Sequence, residues 1–179
     1  PHKNLRRLIQ AMVLLNTHQN QTVTLAIASA RNNFTERLEH LIHELKAEKY
    51  VNLLGFVSDS ELGSLMHNSV GFVFPSFSEG FGLPGLEALN VGTLLLASNI
   101  PVFKEIYMNH AFYFNQLDFS SIEKVMRDAL KLSPGSRSEI VRNSQEFVKR
   151  YSWDKMARQT LQIYEAAYKN KNSDSIRQG

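Results

Sequence analysis

The stretch "FPSFSEGFGLPGLEALNVG", from Phe74 to Gly92, places an apolar run, a glycine-rich turn and a helical pattern next to one another. The apolar residues at 70–75 predict a short buried strand. "PGLEALNVG" predicts a helix with Pro84 in its first turn and Gly92 at its end. A strand, a tight turn and a helix in this order are typical of parallel α/β sheets, whose ligands bind at the carboxyl ends of the strands.

The same alternation of strand and helix patterns extends along the chain. Apolar, β-branched runs predict further strands at 22–29, 51–57, 93–98 and 111–114, and helical spacing of apolar residues separates them. "SDSE" at 58–61 is a capping box. Helices are predicted at 119–132, 136–151 and 153–169, the last with Ser152 as its cap. We therefore predict an α/β fold over residues 1–169, a Rossmann-like doubly wound parallel sheet with helices on both faces, and a polar disordered tail over 170–179.

Composition excludes several classes of protein. The 179 residues suffice for one domain with a core, and a net charge of +3 gives no reason to expect nucleic acid as a partner. Because the chain has no cysteine, disulfide frameworks and thiolate metal sites are excluded, and a reducing compartment fits. No run of apolar residues is long enough to cross a bilayer. Because the chain starts with "PHKNLRRLIQ", without an initiator methionine or a signal-peptide pattern, we interpret it as a piece of a longer protein.

The quoted loop has the composition of a site for a nucleotide sugar. Glycines let the backbone approach a ligand, and the unpaired N–H groups of a helix start suit a diphosphate. Carboxylates repel phosphate, so Glu79 and Glu87 suit the hydroxyl groups of sugars on either side of it. The alternative is that Glu87 only complements the dipole of the helix from its first turn and that Glu79 is a solvated turn residue.

The frame Glu79-Gly-Phe-Gly-Leu-Pro-Gly-Leu-Glu87 resembles the E-x7-E motif of retaining glycosyltransferases of GT-B architecture, family 4. "PHKNLRRLIQAM", "VNLLGFVSDSELGSLMHNS", "ASNIPVFKEI" and "YSWDKMARQTLQIYEAAY" follow the order of that family. The resemblance covers residues 1–169 and implies the C-terminal, donor-binding half of such an enzyme. It implies transfer of a hexose to a glycan or lipid-linked acceptor with retention at the anomeric carbon.

The resemblance also assigns roles to individual residues. It implies that Glu79 orients the transferred sugar and that Lys3, in "PHKN", stabilises the diphosphate in an enzyme that uses no cofactor and no metal there. Glu87 would bind the ribose. The remaining residues implied to contact the donor are Phe81, Gly82 and Leu83 at the diphosphate and donor sugar and Gly55, Phe56 and Val57 at the base.

The chain departs from the family pattern at its start. The family has a strand ending in a glycine and an arginine before "P-x-K-N", so we expect the first strand and that arginine to lie outside this chain. Arg31 is a candidate for a compensating charge, although an exposed helix-start residue is the better interpretation. Glu105 matches a family glutamate near the donor pocket and is equally a structural residue at a helix end.

Several hypotheses stay open from the sequence. The donor is a UDP-, GDP- or ADP-hexose, and an N-terminal acceptor-binding domain would complete the enzyme, so the chain alone should bind nucleotide weakly and transfer nothing. The alternatives are a non-catalytic GT-B-like binding module and an enzyme resembling nucleotide-sugar epimerases. A cytoplasmic protein is expected, with basic terminal helices that could contact a membrane surface peripherally. His40 and His43 with neighbouring glutamates have spacings of metal ligands, but an exposed helix face is the favoured explanation.

Overall fold

The computed structural model describes residues 2–29 and 33–176, with the side chains of 33, 34 and 170–176 left out. Five strands and eight helices lie in these ranges. In chain order they are α1 (Leu5–Thr17), β1 (Leu25–Ala28), α2 (Asn33–Glu44), β2 (Val51–Gly55), α3 (Asp59–His67), β3 (Phe72–Phe74), α4 (Leu83–Val91), β4 (Leu95–Ser98), α5 (Pro101–Tyr107), β5 (Phe112–Phe114), α6 (Phe119–Leu130), α7 (Pro134–Val148) and α8 (Trp153–Ile176). Each predicted strand is present, so the sequence identified the order of the strands correctly.

All strand pairs are parallel, which confirms the predicted α/β class. The strands form two hydrogen-bonded groups, β1-β2 and β3-β4-β5, rather than the single continuous sheet that was expected. In the described residues no strand pair joins the two groups.

Helix α1 connects two parts of the hydrophobic core of the first compact unit, Pro1–Glu146. One side of α1, with Leu8, Met12 and Leu15, packs with residues of β4, β5 and α6. Ile9 faces a second cluster, which is formed with residues of α2 and β2. Apolar residues at helical spacing on two sides of the helix produce this arrangement.

The predicted helix ends are confirmed where the sequence supplied a capping residue. Ser58 and Glu61 form the capping box at the start of α3, with the Ser58 amide donating to Glu61 Oε2 over 2.8 Å. Pro84 lies in the first turn of α4, and Gly92 ends that helix with a φ of 87°, in the left-handed region that glycine tolerates. Such local signals act over three or four residues and do not depend on distant packing.

The second compact unit, Phe147–Gly179, contains the long helix α8. Ser152 caps it as predicted, because its Oγ accepts a hydrogen bond from the Lys155 amide over 3.3 Å. The helix continues to Ile176, whereas the sequence predicted a disordered tail from residue 170.

None of the helices in the described part of the chain combines the length and the hydrophobicity that a membrane-spanning segment needs.

Candidate functional site

Glu79 lies in the loop between β3 and α4 and is held on one side of its carboxylate. Its Oε1 accepts hydrogen bonds from Lys3 Nζ over 2.7 Å and from Ser76 Oγ over 2.8 Å. Burial by itself raises the pKa of the Glu79 carboxyl, but the hydrogen bonds from Lys3 and Ser76 and the charges of Lys3 and His2 outweigh it, so the net pKa is lowered. The carboxylate is therefore kept ionised, with Oε2 left without a hydrogen bond in the described part of the chain.

Lys3 and Glu79 form an ion pair although 76 positions separate them in the sequence. The Glu79 side chain is 18% exposed and that of Lys3 is 48% exposed. The Lys3 ammonium also lies 5.5 Å from the centroid of the Phe74 ring. The structure thus brings together the two residues to which the sequence analysis gave roles at the diphosphate and at the transferred sugar, with Lys3 half exposed and Glu79 less so.

The segment that precedes α1 is attached to the Glu79 loop at two further points. The Phe77 amide donates to the His2 carbonyl over 2.9 Å. Asn4 Nδ2 donates to the carbonyls of Pro75 over 3.0 Å and of Gln116 over 2.8 Å. Asn4 itself is 4% exposed. Residues 2–4 and 75–79 consequently form one connected unit around the ion pair.

The glycine-rich start of α4 packs against a tyrosine that the sequence analysis did not identify. Tyr107, at the end of α5, is fully buried, and its hydroxyl donates to the Gly82 carbonyl over 2.5 Å. A Cβ atom at Gly82 or Gly85 would overlap the Tyr107 ring. Because this contact uses a carbonyl, it does not block the amide groups that point out of the helix start. The glycines are thus required for close packing, in addition to any contact with a ligand.

Glu87 lies in the second turn of α4 and is exposed. Helix α4 begins at Leu83 and has no acidic residue in its first turn. The alternative explanation, that Glu87 complements the helix dipole from the first turn, is therefore wrong. Phe81 and Leu83 flank Gly82, which has a φ of 97°, and are 42% and 41% exposed. The apolar surface of this turn is open to solvent.

The predicted base-binding segment lies at the end of β2, in the other strand group. Gly55 has a φ of 72°, and its carbonyl accepts a hydrogen bond from the Ser29 amide over 2.9 Å. Phe56 is 81% exposed and Val57 is half-buried. A large apolar ring that is almost fully exposed is available to a ligand.

The remaining candidates from the sequence are Arg31, Glu105, His40 and His43. Arg31 lies outside the described residues. Glu105 is exposed on α5. His40 and His43 line a surface cavity of about 290 Å³ with Glu36 and Glu39, but no group of three or more metal-ligating side chains in the described ranges could hold an ion.

A second cavity, of about 210 Å³, opens beside the start of α1. Four of its lining residues are cationic, although Arg6 is already paired with Glu44 over 2.9 Å. Its lining residues are Lys3, Asn4, Leu5, Arg6, Arg7, Arg37, Leu38, Leu41 and Phe77.

Sequence analysis missed Ser76, Asn4 and Tyr107. Ser76 is fully buried and follows a strand, a position typical of ordinary core packing. Asn4 precedes a helix, where asparagine usually caps the helix, but its side chain makes no cap bond there. These contacts join residues that are far apart in the sequence, and no local pattern reports them.

The fold and the site together define an α/β domain with a glycine-rich helix start beside a Lys–Glu pair. The family model "Glycosyl transferases group 1" matches residues 1–147. The chain belongs to this family of glycosyltransferases.

Curated relatives agree with the family assignment. The O-antigen chain mannosyltransferase RfbU of Salmonella typhimurium is 30% identical over 156 residues, which are 87% of this chain and 42% of that protein. The serotype-specific mannosyltransferase WbdA of Escherichia coli is 36% identical over 136 residues, 73% of this chain and 16% of that protein. The chain thus spans less than half the length of these relatives.

Solved structures share the fold. Sucrose-phosphate synthase of Thermosynechococcus elongatus superimposes with a TM-score of 0.81 at 21% identity, covering 94% of this chain and 43% of that one. Anabaena HepE, described in complex with UDP and glucose, superimposes with a TM-score of 0.79 at 20% identity and covers 93% of this chain and 46% of that one. The architecture is that of GT-B glycosyltransferases.

Proposed function

We propose that this chain is the nucleotide-sugar-binding half of a retaining glycosyltransferase that transfers a hexose, with mannose as the first sugar to test. The observation that carries the proposal is the Lys3–Glu79–Ser76 arrangement beside the glycine-rich start of α4. Both relatives are named mannosyltransferases, and one of them is named for the O-antigen chain, which favours mannose and a glycan or lipid-linked acceptor.

In this proposal the start of α4 and Lys3 stabilise the diphosphate. The amide groups at Gly82 and Leu83 carry the partial positive charge of the helix start, and Lys3 borders a cavity whose other cations are arginines. Negative charge develops on the departing diphosphate during transfer, and a fixed cation with oriented amides stabilises it. The mechanism needs no divalent metal for this task.

Glu79 acts on the transferred sugar rather than on the phosphate. Its Oε1 is occupied by Lys3 and Ser76, so the other carboxylate oxygen accepts hydrogen bonds from sugar hydroxyls. Glu87, exposed on α4, binds the ribose hydroxyls, and the segment Gly55–Phe56–Val57 receives the base. The acceptor hydroxyl attacks the anomeric carbon on the face from which the diphosphate departs. The new glycosidic bond forms as the bond to the diphosphate breaks, the configuration at the anomeric carbon is retained, and the hydroxyl proton passes to the departing diphosphate.

The acceptor is bound by a further domain that is proposed to accompany this chain in the complete enzyme. The relatives are more than twice as long as the matched region, which leaves room for such a domain. On its own the chain is expected to bind nucleotide weakly and to transfer nothing.

Calorimetry with UDP, GDP and ADP tests nucleotide binding by the chain and by the complete enzyme. Heat with one nucleotide supports the proposal and names the base. No heat with any of the three in the complete enzyme contradicts it and favours a non-catalytic binding module.

Transfer is tested with Glu79→Gln in the complete enzyme. We expect transfer to fall by about a hundredfold or more while nucleotide affinity changes little, because the carboxylate contacts the sugar. The matched control is Asp128→Asn, which breaks an equally short Lys–carboxylate pair, Lys124–Asp128 at 2.7 Å, on α6. Equal losses of transfer and of nucleotide binding in Glu79→Gln would contradict the role of Glu79.

A further inference from the structure

The backbone of Asn4 is held in a conformation that few residues tolerate. Its φ of 55° and ψ of 32° lie in the left-handed region, where asparagine is enriched over other non-glycine residues. Asparagine at the start of a helix usually accepts a bond from the first turn, but Asn4 makes no such bond. Its side chain therefore serves contacts away from the helix.

Those contacts connect two loops at the carboxyl ends of strands. Asn4 Nδ2 uses both hydrogens, one on the Pro75 carbonyl after β3 and one on the Gln116 carbonyl after β5. The Asn4 Oδ1 accepts from the Arg7 guanidinium over 3.3 Å. Since Asn4 is 4% exposed, each of these bonds replaces water, and losing the amide would leave two backbone carbonyls without that donor.

Asn4 directly follows Lys3, and Pro75 precedes Ser76 in the loop that carries Glu79. The bond from Asn4 to Pro75 thus fixes the distance between the backbone segments that bear the cation and the carboxylate. The His2–Phe77 backbone bond supports the same alignment from the other side. Lys3 has a long, half-exposed side chain, so its position over Glu79 depends on where its backbone is held.

We propose that Asn4 is a positioning residue, whose buried side-chain amide holds the loop after β3 against the start of α1 so that Lys3 reaches Glu79. Its effect on sugar transfer rests on the proposed function, whereas its effect on the Glu79 carboxylate does not. Asn4 contacts no reacting group and acts through the Lys3–Glu79 pair.

The test measures the pKa of the Glu79 carboxyl by carbon NMR in the 179-residue chain and its variants. Asn4→Gly keeps the left-handed backbone accessible and removes the amide. The matched control is Asn16→Ala, because Asn16 Nδ2 also donates to two carbonyls, those of Met12 over 2.9 Å and Val23 over 3.0 Å, at the other end of α1.

We expect the pKa of Glu79 to rise in Asn4→Gly, toward its usual value of 4.5, because Lys3 no longer holds the carboxylate, while the bond from Ser76 in the same loop remains. In Asn16→Ala the pKa of Glu79 should stay as in the unchanged chain, even though stability falls. An unchanged pKa in Asn4→Gly would overturn the proposal. If that variant does not fold, Asn4→Ser, which keeps one donor, is expected to shift the pKa in the same direction and by less, and an unchanged value there overturns the proposal equally.

Activity of the complete enzyme separates this proposal from the proposed function. We expect kcat to fall by about tenfold in Asn4→Gly, with a smaller change in nucleotide affinity, and neither to change in Asn16→Ala. A raised pKa of Glu79 with unchanged transfer would support the positioning role and contradict the role given to Glu79 in transfer.

Discussion

The two strand groups of this chain are built from similar apolar runs but differ in how completely they are buried. All four residues of β4, the middle strand of β3-β4-β5, are buried. In β1 and β2 every second residue is exposed, and Leu54 is 40% exposed. The Glu79 loop follows a strand of the well-packed group, whereas Phe56 follows a strand of the open group. The Lys3–Glu79 pair is therefore supported by the more completely buried strand group, and the segment predicted to bind the base is supported by the less buried one.

The largest expected difference between the groups comes from truncating matched leucines. Leu96 in β4 is 2% exposed and lies in the main core cluster. Leu96→Ala should lower the free energy of unfolding by about 2–5 kcal/mol, because it leaves a cavity among α1, β4 and α6. Leu54→Ala should lower it by less than about 1 kcal/mol. Urea unfolding of both variants checks the comparison, and similar losses would show that the two groups are equally packed.

A smaller loss is expected from adding a methyl group under the start of α4. Gly85→Ala places a Cβ against the ring of Tyr107, which is fully buried. We expect a loss of about 1–3 kcal/mol in the free energy of unfolding. The control is Gly63→Ala in α3, where a Cβ meets no atom within 4 Å and where alanine should stabilise the helix by about 0.5–1 kcal/mol. A Gly85→Ala variant as stable as the unchanged chain would mean that the Tyr107 contact can relax.

A still smaller effect is expected from the pH dependence of the Lys3–Glu79 pair. Because the pKa of folded Glu79 lies below its usual value of 4.5, its contribution to stability is fully present above that pH. It is lost as the pH falls through the lowered pKa. Because Lys3 is half exposed, we expect the pair to contribute less than about 1 kcal/mol.

Lys3→Met should therefore flatten the decline of stability below pH 4.5 without changing stability at high pH by more than that amount. Urea unfolding at a series of pH values measures both the decline of stability below pH 4.5 and the stability at high pH. A decline that is as steep in Lys3→Met as in the unchanged chain would assign it to other carboxylates, such as Glu44 beside Arg6 or Asp128 beside Lys124, whose pKa values are also lowered.

The smallest effect on stability is expected at Phe56. Its ring is 81% exposed, so Phe56→Ala should change the free energy of unfolding by less than about 0.5 kcal/mol. If the ring contacts the base of the donor, nucleotide affinity should fall by about 1 kcal/mol or more. Calorimetry of the variant measures the affinity, and an unchanged value would remove Phe56 from the proposed base-binding segment.

Motifs that act over a few residues were predictable. The capping box at Ser58, the proline and glycine at the two ends of α4 and the order of the strands follow from local geometry and from the alternation of apolar residues. Helix α5 was not predicted, because its seven residues are too few to display a helical period. The interruption between the strand groups could not be predicted from the sequence either, because the apolar pattern of a strand does not indicate which other strand it pairs with.

The candidate site, too, was predictable only in part. Glu79 and Lys3 were named from the sequence, yet only the folded chain shows that they pair and that Ser76 shares the bond. Asn4 and Tyr107 had no recognisable signal, because each acts on a backbone carbonyl that belongs to a remote loop.

The sequence by itself determined the α/β class, the family and the residues around the glycine-rich turn, because these depend on short-range patterns of apolar, capping and turn residues. The tertiary structure alone decided which side chains hold Glu79, how tightly Tyr107 packs beneath α4 and where the strand ladder is interrupted. Those features depend on contacts between segments that are tens of residues apart, and such contacts form only when the chain is folded.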